Sequence, residues 1–360
     1  METFRQNIIM KNNIAFLLFF YILSSCSQKH TPVKDDYIIA NGQMPNIAKD
    51  KNNNIYLVYG SGDSILYCYS SGNAKTFSKP SLISVLPHVY AFAMRGPQIG
   101  AVEKGVVVTA CTTSGDIYSF YKNTNGGWMQ GEKVNDADTV CKEGLMALSA
   151  DGSNAFAVWL DLRGNQRNKI YGAKSIDGGE TWSKNILIYA STDSSVCECC
   201  KPSVAVKGNN VYVMFRNWLN GNRDLYLIQS ADSGNNFGQA QKLGMGSWQL
   251  NGCPMDGGGV AVNEKGEAQT VWRREANVFA SVPGMPEKEI GEGKSCTIET
   301  VSNKNVYAWT EAGSVVVINT QGQKKTLSEG SQPVLKALDN KHILCVWEHD
   351  KQIHAAILEL

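Results

Sequence analysis

Outside the first ten residues the chain carries seven arginines: Arg95, Arg163, Arg167, Arg216, Arg223, Arg273 and Arg274. Asp161 stands two residues before Arg163, and Glu198, Asp256 and Glu275 supply further carboxylates. A planar guanidinium captures a carboxylate through two parallel hydrogen bonds. Carboxylates can act as acid, base or nucleophile at a glycosidic bond. Asp161, Arg163, Arg95, Arg216, Arg273 and Asp256 are therefore the candidate catalytic set. Trp218 and Trp248 offer flat apolar faces of the kind that stack on a pyranose. With Tyr90 and Arg223 they make the candidate substrate contacts. The plainer reading gives the charged residues to exposed loops, as rim ion pairs worth little, and the tryptophans to the core.

Ten cysteines are the second chemical feature. Cys68, Cys111 and Cys345 lie in apolar runs and read as small buried residues. Cys197, Cys199, Cys200 and Cys253 fall in polar segments, with Pro202 and Pro254 close by. In an exported chain they read first as disulfides pinning the long crossings, and a strained ring between neighbouring Cys199 and Cys200 is a separate alternative. The same four sulfurs, with Met255 alongside, would also suit a soft ion such as Cu(I) or Zn. The run reads as Cys-x-Cys-Cys rather than as the Cys-x-x-Cys pairing of common zinc modules. A cofactor is not required.

Other chemistries lack their residues. The five histidines are scattered, and three of them follow residue 340. No metal-spaced His pair, Gly-x-Ser-x-Gly elbow or phosphate-binding glycine loop is present. This disfavours zincins, serine hydrolases and nucleotide enzymes. A formal net charge of +1 argues against a nucleic-acid partner, which selects a basic face.

What positions these residues is a repeat. Ser175, Asp177, Gly179 and Trp182 follow the pattern Ser-x-Asp-x-Gly-x-x-Trp, and Ser230, Asp232, Gly234 and Phe237 repeat it with Phe for Trp. Degenerate copies occupy residues 70–77 and 121–128. An acidic residue and a glycine suit a tight turn, and the aromatic gives it something to pack against. Four such turns, about fifty residues apart, indicate a propeller or a solenoid.

Between the turns lie short β-branched and aromatic runs bounded by Gly, Asn and Asp. The first unit shows four of them, at 45–48, 55–59, 65–69 and 79–84. The same order recurs from Gly96, Gly144, Lys201, Gly257 and Thr297, and a last unit from Gln332 has three strands. The lone strand at 37–40 can complete that last blade and close the ring. The expected fold is all-β, a β-propeller of four-stranded blades over residues 36–360. The count is seven blades, or six if one of the two short final units is an addition. In such a blade the Ser-x-Asp turns lie at one end. The B–C loops and blade-to-blade crossings gather the Arg, Asp, Cys and Trp residues on the opposite rim.

These turns resemble the Asp-boxes of bacterial sialidase-type propellers, the BNR repeat. Residues 147–183 resemble the first blade of such a sialidase, in which an acidic-x-Arg segment precedes the box as Asp161-Leu-Arg163 does here. The resemblance implies glycoside hydrolysis of the exo-α-sialidase type, with Asp161 as acid and Arg163 on the rim. Arg95-Gly-Pro97 is the nearest analogue of that family's carboxylate-binding Arg-Ile-Pro motif.

The first 26 residues read as a leader. Lys11 precedes an apolar run from Ile14 to Leu23, too short for a permanent span but suited to an export signal. Leu23-Ser-Ser-Cys26 resembles a bacterial lipobox, which makes Cys26 the lipidated first residue of the mature chain. Met10 opens a more typical signal than Met1, and residues 27–35 read as a polar tether. The expectation is an envelope-anchored protein of the outer membrane or cell surface. It acts on or binds an extracellular or periplasmic glycan, and it touches the membrane through the Cys26 lipid. Two other readings stand beside it, a non-catalytic binding scaffold and a metal-binding or redox propeller.

Overall fold

The computed structural model describes residues 36–123, 126–193 and 195–360, which form seven antiparallel sheets and contain no helix. The leader, Cys26 and the tether lie outside the described residues. Seven innermost strands define the blades, numbered 1 to 7 in chain order. They are Gln43–Lys49, Gln98–Val102, Met146–Asp151, Ser203–Lys207, Gly258–Val262, Lys294–Val301 and Ser331–Ala337. Each packs beside the next, the last returns to the first, and together they line a central channel.

Blade 7 closes the ring. Its fourth strand is Tyr37–Asn41, from the opposite end of the described chain, paired antiparallel with Gln352–Glu359. Tyr37–Asn41 thereby covers Gln352–Glu359 and becomes the outermost strand of blade 7, so that the two ends of the described chain share one sheet. The ring thus has seven blades, and the six-blade alternative is set aside.

The sequence dictates this architecture through burial on both faces of each sheet. Second strands such as Asn154–Asp161 and Asn210–Leu219 are buried almost end to end, so their apolar residues run continuously instead of alternating. Among the described residues, one apolar cluster fills each of the seven blade-to-blade interfaces. Trp159, Trp309 and Trp347 are fully buried, each in the same place along the second strand of its blade, and Tyr59 does the same in blade 1. Burying one large side chain contributes about 1.5–3 kcal/mol relative to exposure.

The two Ser-x-Asp-x-Gly turns share one hydrogen-bond template. Ser175 Oγ donates to Asp177 Oδ1 (2.7 Å) and accepts from the Gly179 N–H (2.8 Å). Ser230 repeats this with Asp232 (2.7 Å) and Gly234 (2.9 Å). Both glycines are obligatory. Gly179 has φ +96° and a Cβ there would sit 2.3 Å from Val107; Gly234 has φ +82° and would meet Phe156 at 2.1 Å. Each turn therefore packs against the preceding blade, and Phe237 adds an edge contact to Phe156 at 5.9 Å. The turns are structural staples between blades.

Candidate functional site

Blade 4 departs from its neighbours. Ser195 and Val196 pair with Trp218 and Asn217, and the same edge resumes only at Ser203, opposite Met214. The intervening residues 197–202 leave the ladder as an excursion from the innermost strand, pinned at its start by the Cys197 N–H on the Arg216 carbonyl (2.8 Å). Three cysteines lie on it. Cys197, Cys199 and Cys200 are all buried.

Cys199 forms a disulfide with Cys253, on the crossing from blade 4 to blade 5. Cys253 itself is exposed. The disulfide pins the crossing from blade 4 to blade 5, and the alternative bond between adjacent Cys199 and Cys200 is not made. Cys197 and Cys200 remain thiols, with their sulfurs 3.2 Å apart, and Cys197 Sγ lies 3.8 Å from Cys199 Sγ. Cys197 and Cys200 are three positions apart, so the run does contain a Cys-x-x-Cys pair, contrary to its first reading. All three excursion sulfurs lie within 4.8 Å of one another. With Cys199 oxidised, only two are left as thiols for any soft ion.

Charge explains why this cluster holds together. Arg216 and Arg223 are both buried. Arg216 donates from Nη1 to the Arg223 carbonyl (2.7 Å) and from Nη2 to the Arg273 carbonyl (2.8 Å). Arg223 Nη1 donates to Cys197 Sγ (3.1 Å). The hydrogen bond with Cys200, reinforced by Arg223 and Arg216, lowers the Cys197 pKa to about 6 despite its burial. Burial pushes the Cys200 thiol well above its ordinary range. Asp256, also buried, is the second acidic partner, accepting from the Ser295 N–H (3.1 Å) and facing Arg273 at 3.6 Å; burial raises its pKa against the opposing pull of Arg216, Ser295 and Arg273. Three guanidiniums, those of Arg216, Arg223 and Arg273, thus surround two acidic groups, the pairing that buried charge demands.

The candidate catalytic and substrate residues are consequently not free rim groups. Asp161 has no exposed surface. It accepts from Trp159 Nε1 (2.8 Å), from the Arg163 N–H (2.8 Å) and from the Arg163 guanidinium (2.8 and 2.9 Å). A carboxylate so saturated has no face turned to a substrate, and the acid role implied for it has no group to carry it. Arg95 spends Nε on the Glu143 carbonyl (2.5 Å) and Nη1 on the Ala93 carbonyl (3.0 Å), and Arg273 spends Nε on the Glu275 carbonyl (2.5 Å). Trp248 is buried with the guanidiniums of Arg216 and Arg273 over its ring, at 5.3 and 5.4 Å, and Trp218 sits in a strand against Arg223 at 4.5 Å. Tyr90 donates to the Lys142 carbonyl (2.7 Å).

One further carboxylate, unmarked in the sequence, fixes the crossing that carries Trp248. Glu287 accepts from the Met245 N–H (2.6 Å), the Gly246 N–H (3.0 Å) and Arg274 (2.5 Å). Against the cost of desolvation, these donors bring its pKa down from 4.5 to about 2. A depressed carboxylate pKa contributes stability that is complete above the unfolded value and is lost as pH falls through the folded one. The difference in melting temperature between wild type and Glu287→Gln should be full at pH 7. It should shrink from pH 4.5 downward and nearly vanish by about pH 2; a pH-independent difference would remove the carboxylate from the explanation.

What stays open to solvent is the mouth of the channel. A cleft of about 820 Å³ opens between blades 5 and 6 and the crossings into blades 2 and 5. Pro254, Met255, Ala276 and Ala312 give it apolar wall, while Glu292, Lys294, Ser295 and Gln332 supply polar groups. Lys294 and Glu292 are exposed. Deeper in, Lys201 donates to Gln98 Oε1 (3.0 Å), and desolvation lowers its pKa to about 8. On the far side of the mouth Phe92 is half exposed, with Arg95 over its ring at 5.7 Å. Burial raises the Glu143 pKa; Arg95 opposes that shift and Glu198 adds to it. Of the expected rim residues, the structure brings Arg273 to the cleft. Asp256 borders the channel just below it.

No protein-family model matches the chain, and no curated protein matches it. Solved structures do. The BP39L lectin from Burkholderia pseudomallei superposes with a TM-score of 0.63 at 9% identity, over 90% of this chain and 97% of the lectin. The Penicillium chrysogenum α-L-arabinanase complexed with arabinobiose gives 0.55 at 11% identity, over 91% of this chain and 98% of the arabinanase. The NanB sialidase from Streptococcus pneumoniae gives 0.45 at 13%, over 92% of this chain and 70% of the sialidase. At such identities the likeness to the lectin and the arabinanase is one of fold.

Proposed function

We propose that this protein is a glycan-binding propeller of the cell envelope, tethered through a lipidated Cys26, that holds its ligand at the channel mouth without cleaving it. The carrying observation is the open cleft, where apolar wall from Met255 and Pro254 meets the charged side chains of Lys294 and Glu292. A saccharide presents that same pairing of an apolar ring face with hydroxyls that donate and accept. A pocket of 300–1,000 Å³ suits a small ligand. A lectin and an arabinanase share the fold, but fold does not set chemistry, so the cleft bears the weight. The Asp-box reading of the two staple turns fits an architecture of sialidase type. The saturated Asp161 and the internal Asp256 argue against hydrolysis through either carboxylate.

The test is a panel of immobilised glycans together with chromogenic glycosides. The expected result is retention of a restricted set of glycans and no turnover of any glycoside. Absence of binding across the panel would overturn the reading. A hydrolytic alternative has one observation in its favour, the raised pKa of Glu143 near Glu198. Turnover that Glu143→Gln abolishes would replace binding by catalysis.

A further inference from the structure

The sulfurs of blade 4 have no part in the cleft's chemistry, yet they form a graded series. Cys200 and Cys197 lie in contact at 3.2 Å, Cys197 reaches Cys199 at 3.8 Å, and Cys199 is bonded to Cys253. Burial falls along that series, from Cys200 and Cys197 in the interior to the exposed Cys253. We propose that these four residues form one thiol–disulfide exchange unit, in which the disulfide migrates between Cys199–Cys253 and Cys197–Cys200 and the exposed Cys253 exchanges with thiols from outside.

The steps balance. The Cys197 thiolate attacks Cys199 Sγ; the Cys197–Cys199 bond forms as Cys199–Cys253 breaks, and Cys253 leaves with the electron pair. Cys200 passes its proton to that thiolate and attacks Cys197 Sγ. The Cys197–Cys200 bond forms and Cys199 leaves as thiolate. Two electrons have moved from the inner dithiol to the outer disulfide, with no external oxidant consumed. An outside thiolate that attacks Cys253 Sγ instead releases Cys199 as thiolate, which opens the unit to the surroundings. Arg223, donating to Cys197 Sγ at 3.1 Å, favours the thiolate that the first step requires, since the thiolate is the attacking species. The Cys-x-x-Cys spacing of Cys197 and Cys200 lets them close a short ring without moving the blade.

Peptide mapping on the full chain decides the matter. The protein is equilibrated with reduced and oxidised glutathione at graded ratios, quenched in acid, alkylated and digested without reductant. The expected map contains two disulfide isomers, one with Cys199–Cys253 and one with Cys197–Cys200 and alkylated Cys253, in a constant proportion to each other, while the ratio shifts their total against the doubly oxidised and fully reduced forms. Cys200→Ser should halt the sequence at Cys197–Cys199 with Cys253 alkylated. Cys253→Ser should slow the response of Cys197 and Cys200 to glutathione at least tenfold. A map in which Cys199–Cys253 is the only disulfide at every ratio would overturn the proposal. So would stoichiometric Zn or Cu held by the thiols of the protein as isolated. The wild-type map suffices if either variant fails to fold.

Discussion

Arg216→Met is expected to destabilise the protein by about 3–5 kcal/mol, the range for removing one partner of a buried ionic network. The side chain is 2% exposed. Its two donor nitrogens satisfy the carbonyls of Arg223 and Arg273, and so tie the second strand of blade 4 both to its own third strand and to blade 5. Methionine keeps most of the volume and removes the charge. Both carbonyls then lack a donor, each loss costing about 1–3 kcal/mol. Asp256 and Cys197 also keep their acidic groups against fewer cations. Urea denaturation of wild type and variant, compared at equal m-value, measures the cost. A loss below about 1 kcal/mol would show that Asp256 and Cys197 are neutral and that the network is held by packing alone.

The second large effect concerns closure. A chain beginning at residue 42 should melt far below one beginning at residue 36 and should self-associate. Strand Tyr37–Asn41 completes blade 7, and Ala40, Tyr37 and Ile39 join the apolar cluster between blades 7 and 1. Partial burial of these three groups contributes about 3–5 kcal/mol on the scale of a buried side chain. Its removal also bares Gln352–Glu359 as an unpaired edge, a template for another chain. Size-exclusion chromatography and thermal melts of the two chains read both consequences. A monomer with an unchanged melting temperature would mean that the ring does not depend on this seam.

Much of the fold was legible. The turn repeat set the period, and the strand deficit in the last unit, matched by one spare strand near the start, predicted the closure that Tyr37 and Ala355 make in register. The site was legible only in part. Arginine is ordinarily exposed, so Arg216 and Arg223 read as rim groups. In fact they stand within strands whose buried apolar residues run past them: Val211 to Phe215 on one side, Leu225 on the other. That unbroken burial was a usable signal. Cysteine pairing was not, because spacing does not determine connectivity; the three cysteines and Pro202 marked residues 197–202 as unusual but not which sulfur bonds Cys253. The Asp161–Arg163 pair stood out in the sequence as an acid with a rim arginine, and the structure shows the two bonded to each other. Its saturation by Trp159 depends on the side-chain geometry of a strand end, which a motif does not encode.

Entry of a glycan into the mouth cleft between blades 5 and 6 is read by a calorimetric titration. The strongest glycan of the panel is titrated into wild type, Lys294→Ala and Ala276→Trp. Lys294 offers a charged donor whose hydrogen bond to ligand is worth about 1.5–3 kcal/mol, and an indole at Ala276 fills the cleft from the exposed turn. The predicted result is one site in the wild type, affinity weakened roughly 10- to 100-fold by Lys294→Ala, and no measurable binding to Ala276→Trp, with melting temperatures unchanged. Equal affinity in all three proteins would place the glycan elsewhere on the molecule.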